Sequence, residues 1–263
     1  MNPLLNVWTV GLFAALAIFQ IAAVPAILRK RNDFADVTWG PAFIISALAA
    51  AQWGTDQGIE SLSARSAVIL ALLTIWAVRL FVHIRWRTLN HPIEDARYQR
   101  MRKNWGSRWI LQSYLRVFVM QPLILYAILV PVLFSISANP EPWSLIAWLG
   151  LATWIIGFLF ESVADEQLRR FKQDPANKCA LMTRGLWGWS RHPNYFGEVV
   201  QWWGIWLMVQ DLPLAWTTIL SPVGLTFLII KVSGVSLLEG QMKSRPGYEE
   251  YCRTTSSFIP WFK

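Results

Sequence analysis

Residues 66–84 read Ser-Ala-Val-Ile-Leu-Ala-Leu-Leu-Thr-Ile-Trp-Ala-Val-Arg-Leu-Phe-Val-His-Ile, nineteen residues with one fixed charge, Arg79. A helix that crosses a bilayer needs about 20 predominantly apolar residues. Six further segments share the pattern, at about 4–28, 36–53, 110–137, 143–163, 195–212 and 213–238. The second is short, and a tight turn at Asp211-Leu212-Pro213 joins the last two. The composition agrees. Of 263 residues, 54% are hydrophobic and 15% charged, where soluble chains run near ~25% charged. Mean hydropathy is +0.35, and 17 Trp is a high count for this length. Disorder, collagen and a disulfide scaffold are excluded. The expected fold is all-α: a polytopic integral membrane protein with seven transmembrane helices.

Basic residues give the orientation. Arg29, Lys30 and Arg31 follow helix one, eight Lys or Arg lie from Arg85 to Arg116, six from Arg169 to Arg191 and five from Lys231 to Lys263. These are 22 of the 24; Arg65 alone falls in a loop on the other side, and Arg79 lies inside helix three. The positive-inside rule places the N-terminus outside and the C-terminus in the cytoplasm. The expected location is a bacterial-type inner (cytoplasmic) membrane, multi-pass. Met1-Asn2-Pro3 offers no basic region of a cleavable signal. The +8 net charge is topological, so no nucleic-acid partner is expected. Cys179 and Cys252 fall in cytoplasmic segments without metal-ligand spacing, and no metal is expected. One membrane domain follows, with helices one to four (1–138) as a substrate half and helices five to seven with their loops (139–263) as a cofactor half. The expected state is a monomer.

Ionisable side chains inside spanning segments cost about 2.5–3.5 kcal/mol each, so each needs a reason. Arg79, His83 and Arg87 recur four apart and form a basic stripe on helix three; snorkelling to lipid phosphate is the plainer explanation for Arg87. Helix five carries Glu161 and Asp165, followed by Arg169 and Lys172. Helix six begins Tyr195-Phe196-Gly197-Glu198, with Gln201 deeper, and helix seven holds Lys231 and Glu239. Lys231 neutralising a carboxylate between helices is a structural alternative. As a set, charges at the cytoplasmic ends of helices five to seven suit a phosphorylated cofactor. Helices one to four hold sparse neutral groups (Gln20, Trp39, Gln52, Trp53, Tyr114, Gln121, Tyr126), with Asp56 at the outer edge. That fits either a lipophilic pocket or ordinary packing.

The most specific run is Gly185-Leu186-Trp187-Gly188-Trp189-Ser190-Arg191-His192-Pro193-Asn194-Tyr195-Phe196-Gly197-Glu198. Pro193 suits a first helical turn, and Arg191 and His192 just before a helix start favour an anion there. This run, with Glu161-x-x-x-Asp165-x-Gln167-Leu168, Lys172-x-x-x-x-Asn177-Lys178, Gly247-Tyr248-Glu249-Glu250-Tyr251 and Phe258-Ile259-Pro260, resembles the C-terminal region of membrane steroid 5α-reductases and sterol reductases. Val82-His83-x-x-x-Arg87-Thr88 is similar to a helix-three stretch of the steroid reductases. The resemblance covers about residues 79–263.

It implies NADPH-dependent reduction of a carbon–carbon double bond in a lipophilic enone, such as a 3-oxo-Δ4 steroid, drawn from the bilayer. By the same resemblance Glu161, Asp165, Lys172, Arg184, Arg191, His192, Asn194, Tyr195, Glu198 and Tyr251 line the cofactor. Lys172, Arg184 or Arg191 would meet the 2′-phosphate. The animal enzymes place a carbonyl-polarising Tyr one residue after the helix-three His, where this chain has Ile84. Asp56, Tyr98, Tyr114 and Glu198 are therefore the candidate catalytic groups, with Gln52, Trp53 and Gln121 toward the substrate. Gln52 and Asp56 are the nearest candidates for that Tyr's helix-two acidic partner. The rival reading is a membrane methyltransferase of the isoprenylcysteine or phospholipid type using S-adenosylmethionine, since Arg-His-Pro-x-Tyr and the Tyr-x-x-Tyr…Ile-Pro ending occur there too. Three features favour the reductase: the Glu161–Asp165–Gln167 helix before the signature, Asn194 after Pro193, and four spans ahead of them. A receptor or transporter is disfavoured, with no inverted repeat or broken-helix pair in view.

Overall fold

The computed structural model describes residues 6–89, 93–140, 142–178 and 180–261; the side chains of Arg87 and Leu89, and all of Cys179 and Lys263, lie outside the described residues. Among the described residues there are helices and no strand; Ser190 and Ser256 form an isolated bridge. The chain divides into two compact units, Met1–Trp143 and Ser144–Lys263.

The first unit contains α1 (Val7–Leu28), α2 (Phe34–Trp53), α3 (Ala64–Leu89), α4 (Ala96–Trp105), α5 (Trp109–Ser113), a π-helical stretch (Tyr114–Val119) and α6 (Met120–Ala138). The second contains α7 (Leu145–Gln173), α8 (Pro193–Leu207), α9 (Leu220–Phe227), a second π-helical stretch (Leu228–Ser233), α10 (Val235–Met242) and α11 (Tyr248–Thr254). Among the described residues, six helical runs are long and apolar enough to cross a membrane: Val7–Leu28, Phe34–Trp53, Ala64–Trp86, Ala96–Ala138, Leu145–Gln173 and Ala215–Met242. The protein is accordingly a multi-pass integral membrane protein. The sixth expected span, 195–212, is a helix of 15 residues ending at Leu207, roughly 22 Å against a hydrocarbon core of about 30 Å. The fifth runs ten residues past its expected end at 163. At 29 residues and roughly 43 Å, α7 outruns the core, so its polar last turns stand outside. There Glu166 pairs with Arg169 and Arg170, both at 2.6 Å.

Small side chains let the first unit pack closely. α2 buries Ala35, Ala42, Ala47, Ala50 and Ala51 completely, and close backbone approach is how helices associate in lipid, where apolar burial drives little. A capping box starts α1: Asn6 Oδ1 accepts from the amides of Trp8 (3.0 Å) and Thr9 (3.1 Å), while the Asn6 amide donates to Thr9 Oγ1 (3.1 Å). Asn139 closes α6 in a left-handed conformation, and its amide group donates to Ser61 O (2.9 Å). A π-helical turn disturbs the usual carbonyl pairing, and Gln20 of α1 donates to Phe118 O at 2.9 Å within that stretch.

In the second unit α7 and α8 are pressed together through glycines seven apart on each helix. A Cβ on Gly197 would lie 2.5 Å from Glu161 N and 2.6 Å from Gly157 O, and one on Gly204 would lie 2.6 Å from Trp154 N. No larger side chain fits there without parting the helices.

Candidate functional site

The signature forms the start of α8 and the loop before it, and the chain's tail docks onto that loop. The Arg191 amide donates to Ser256 O (2.8 Å), Ser190 Oγ to Phe258 O (2.7 Å) and the Trp261 amide to Trp189 O (3.1 Å). Tyr251 donates its hydroxyl to Trp187 O at 2.6 Å, and Trp187 Nε1 donates to Ala164 O at 3.0 Å. These ties bring α7, the signature, α10 and α11 around one cavity.

Its centre is a buried ion pair. Arg191 is 7% exposed. Its Nη2 and Nε lie 2.6 and 3.0 Å from Glu239 Oε1, and Nη1 donates to Thr255 O at 2.7 Å. Ser257 Oγ donates to the same Glu239 oxygen at 2.9 Å. His192, 1% exposed, stands with Nε2 3.5 Å from it, and that nitrogen has no hydrogen-bond partner. Burial pushes the His192 pKa down to about 4, against the opposing pull of Glu239, so the ring is neutral at pH 7. Tyr195 stacks on it at 5.9 Å. Burial also raises the Tyr251 phenol above its ordinary value.

The cavity beside this pair encloses about 570 Å³ and is lined by Lys172, Lys178, Arg191, Arg245 and Asp174 among its charged residues. With Arg191 engaged by Glu239, three exposed cations face one carboxylate, so the cavity favours an anion. Trp187, Phe171 and Tyr251 supply aromatic wall. The volume lies within the ~300–1,000 Å³ typical of small-molecule sites.

Most of the sequence-derived cofactor residues gather in this unit. Asn194 Nδ2 donates to Asp165 Oδ1 (3.0 Å), and Gln201 Nε2 to Glu161 Oε2 (2.5 Å). Below them Gly185, at φ +61°, admits the Gln167 side chain, whose Oε1 accepts from the Leu186 amide at 3.0 Å. These pairs form a polar ladder between α7 and the signature. Glu198 sits half-buried one turn beyond Asn194. Lys172, His192 and Tyr251 line the cavity, whereas Glu161, Asp165, Asn194, Tyr195 and Glu198 do not, and neither does exposed Arg184. Arg191 lines it with its fork already occupied. Lys231 is exposed and pairs with no described carboxylate; Glu239 takes Arg191 instead.

The first unit scatters some of its candidates and joins others. Asp56 lies at a small outer pocket with Asn6, Thr55 and Asn139. Gln52 and Trp53 are exposed, Gln52 Oε1 accepting from the Ile59 amide at 3.4 Å. Tyr114 is exposed on the π-helical stretch. Tyr98 and Gln121 meet in a chain. Tyr98, 5% exposed, donates to Asp36 Oδ1 at 2.6 Å and accepts from Gln121 Nε2 at 3.2 Å, and Gln121 Oε1 accepts from Trp39 Nε1 at 2.9 Å. Arg97 holds the other Asp36 oxygen at 3.0 Å. Asp36, Ser257 and Arg245 are the members that sequence reading passed over, and Glu239, singled out on helix seven, pairs with Arg191. Arg245 stands just before Gly247-Tyr248, where its proximity to the tail motif was the available signal.

Fold and site define a multi-pass membrane protein with an anion-favouring cavity at the signature of its second unit. The chain belongs to a family described as proteins of unknown function (DUF1295), which matches residues 23–255. It is 26% identical over 238 residues, 81% of this chain and 68% of the relative, to the uncharacterized protein C594.04c of Schizosaccharomyces pombe (strain 972 / ATCC 24843). No solved structure matches it significantly.

Proposed function

We propose that this protein reduces a carbon–carbon double bond in a lipophilic enone with NADPH, as a membrane reductase in which short α8 and the turns after it to Leu212 make a seventh crossing, with the N-terminus outside and the C-terminus in the cytoplasm. The observation that carries the reading is the cavity at the signature, with Lys172, Lys178 and Arg245 on its walls. Three cations suit the phosphates of a dinucleotide, and the partnerless Nε2 of buried His192 offers one more polar contact. The aromatic wall suits a base. The resemblance of the signature to the steroid and sterol reductases supports the same reading. S-adenosylmethionine carries no phosphate for those cations to bind.

In this account Lys172, Lys178 and Arg245 bind phosphate, while Arg191 and Glu239 lock α10 and the tail against the start of α8. The Asp165–Asn194 and Glu161–Gln201 pairs tie α7 to α8 outside the cavity's lining. NADPH, when bound, supplies the hydride. A proton is also needed at the α-carbon and a donor at the carbonyl. Tyr98, one of the candidate catalytic groups, carries a phenol proton suited to such a step; its Oη donates to Asp36 and accepts from Gln121.

Thermal melting of the detergent-purified protein tests the cofactor. A ligand at 100 times its Kd stabilises the native state by about 2.7 kcal/mol. NADPH should raise the midpoint more than NADH, and S-adenosylmethionine should leave it unchanged. Stabilisation by S-adenosylmethionine alone would replace this reading with the methyltransferase one.

A further inference from the structure

Helix α4 carries four basic side chains in ten residues, Arg97, Arg100, Arg102 and Lys103, and they divide into two sets. Arg97 is spent on Asp36 (3.0 Å) and Asp95 (3.0 Å), and Arg102 on Glu94. Both belong to the face that buries Tyr98. Glu94 also accepts from the Asn32 amide (2.7 Å), and Asn32 Nδ2 donates to Ser113 Oγ (2.9 Å). The helix is thereby pinned to the loop between α1 and α2. The second set is Arg100 and Lys103, one turn apart, with Arg108 just beyond the helix. All three are exposed, and no described residue pairs with them. The neighbouring carboxylates Glu94, Asp95 and Asp36 are bonded to the two cations of the first set and exceed them by one, so the second set still leaves the patch cationic.

We propose that Arg100, Lys103 and Arg108 form a binding site for the headgroup of an anionic phospholipid. Exposed apolar side chains neighbour the cations along the chain: Met101 follows Arg100, and Ile110 and Leu111 follow Arg108. A cationic patch edged by apolar surface, on a rigid helix leading into the membrane-crossing α6, matches a lipid that is anionic at one end and apolar at the other. This assignment is independent of the reaction proposed above.

The test uses the full-length protein in zwitterionic micelles, titrated with dioctanoyl phosphatidylglycerol and, separately, with dioctanoyl phosphatidylcholine. The anionic lipid should bind more tightly and lose affinity as salt rises. Each Lys or Arg at a charged lipid surface is worth about a 5-fold change in affinity, so Arg100→Gln/Lys103→Gln/Arg108→Gln should weaken binding on the order of 100-fold. Arg100→Lys/Lys103→Arg/Arg108→Lys should bind as wild type. Should the triple Gln variant melt lower than wild type, the three single Gln variants carry the test, each about 5-fold weaker. Inorganic phosphate should fail to displace the lipid. Equal affinity for the two lipids, unchanged binding in the folded Gln variants, or full displacement by phosphate would each overturn the assignment.

Discussion

Replacing Arg191 by Ala tests whether the signature is held by an ion pair or merely decorated with one. The guanidinium is 8% exposed and the Glu239 side chain 24%. Removing one partner of a buried pair costs about 3–5 kcal/mol, because the other charge is left uncompensated. Here Glu239 keeps Ser257 at 2.9 Å and some solvent, which points to the low end of that range. Thr255 O loses its 2.7 Å donor, adding roughly 1 kcal/mol. The expected loss is about 3–4 kcal/mol, read as a shift of the SDS-unfolding midpoint of the purified protein. Trypsin should also cut faster near Arg245 and Arg253, since the tail loses its anchor. The double variant Arg191→Met/Glu239→Gln should be more stable than Arg191→Ala, because no buried charge is left unpaired. A loss below about 0.5 kcal/mol, the level of an ordinary surface substitution, would refute the reasoning, as would a double variant weaker than the single one.

Gly197→Ala should destabilise by about 1–3 kcal/mol through overpacking, since its Cβ would meet the α7 backbone at 2.5 Å; SDS unfolding reads this, and a neutral result would contradict the close helix approach. Tyr98→Phe strips Asp36 and Gln121 of a shared partner and should cost about 1–3 kcal/mol. Under the proposed reaction it also removes turnover in folded protein, which Tyr114→Phe should spare. Buried His192 stays neutral down to about pH 4, whereas an unfolded His takes its proton near pH ~6.5. The unfolded state therefore binds more protons between these values, and stability falls as pH drops through that window, by at most about 1.4 kcal/mol per pH unit. Melting midpoints of His192→Gln should lack that decline, and an identical pH dependence in variant and wild type would discount it.

Much of this architecture is legible in the sequence because a bilayer demands uninterrupted apolar runs. Helices α1, α2 and α3 lie within a few residues of where hydropathy puts them. The misses have physical causes. α7 continues to Gln173 because polar turns held by Glu166, Arg169 and Arg170 are good helix but poor hydrophobe. Inside the polar segment 85–109 lies α4, fixed by bonds from Arg97 and Tyr98 to distant Asp36 that no local pattern announces. The site shows the same division. The signature and the Glu161–Asp165 spacing mark residues that share a helix face. By contrast Arg191 and Glu239 are 48 residues apart, and Tyr98 and Asp36 are 62 apart. Pairings of that range follow from how helices pack, not from spacing. The glycines of α7 and α8 are a readable exception, each pair seven residues apart, at Gly150 and Gly157, and at Gly197 and Gly204.

Single-turnover reaction of the purified protein, preloaded with NADPH and mixed with a 3-oxo-Δ4 steroid, tests the central claim most directly. The account predicts oxidation of bound NADPH and a product two hydrogens heavier across the former double bond, with both lost when Lys172, Lys178 and Arg245 are all replaced by Ala. Unoxidised NADPH with every enone tried, together with methyl transfer from S-adenosylmethionine to a lipophilic acceptor, would contradict it.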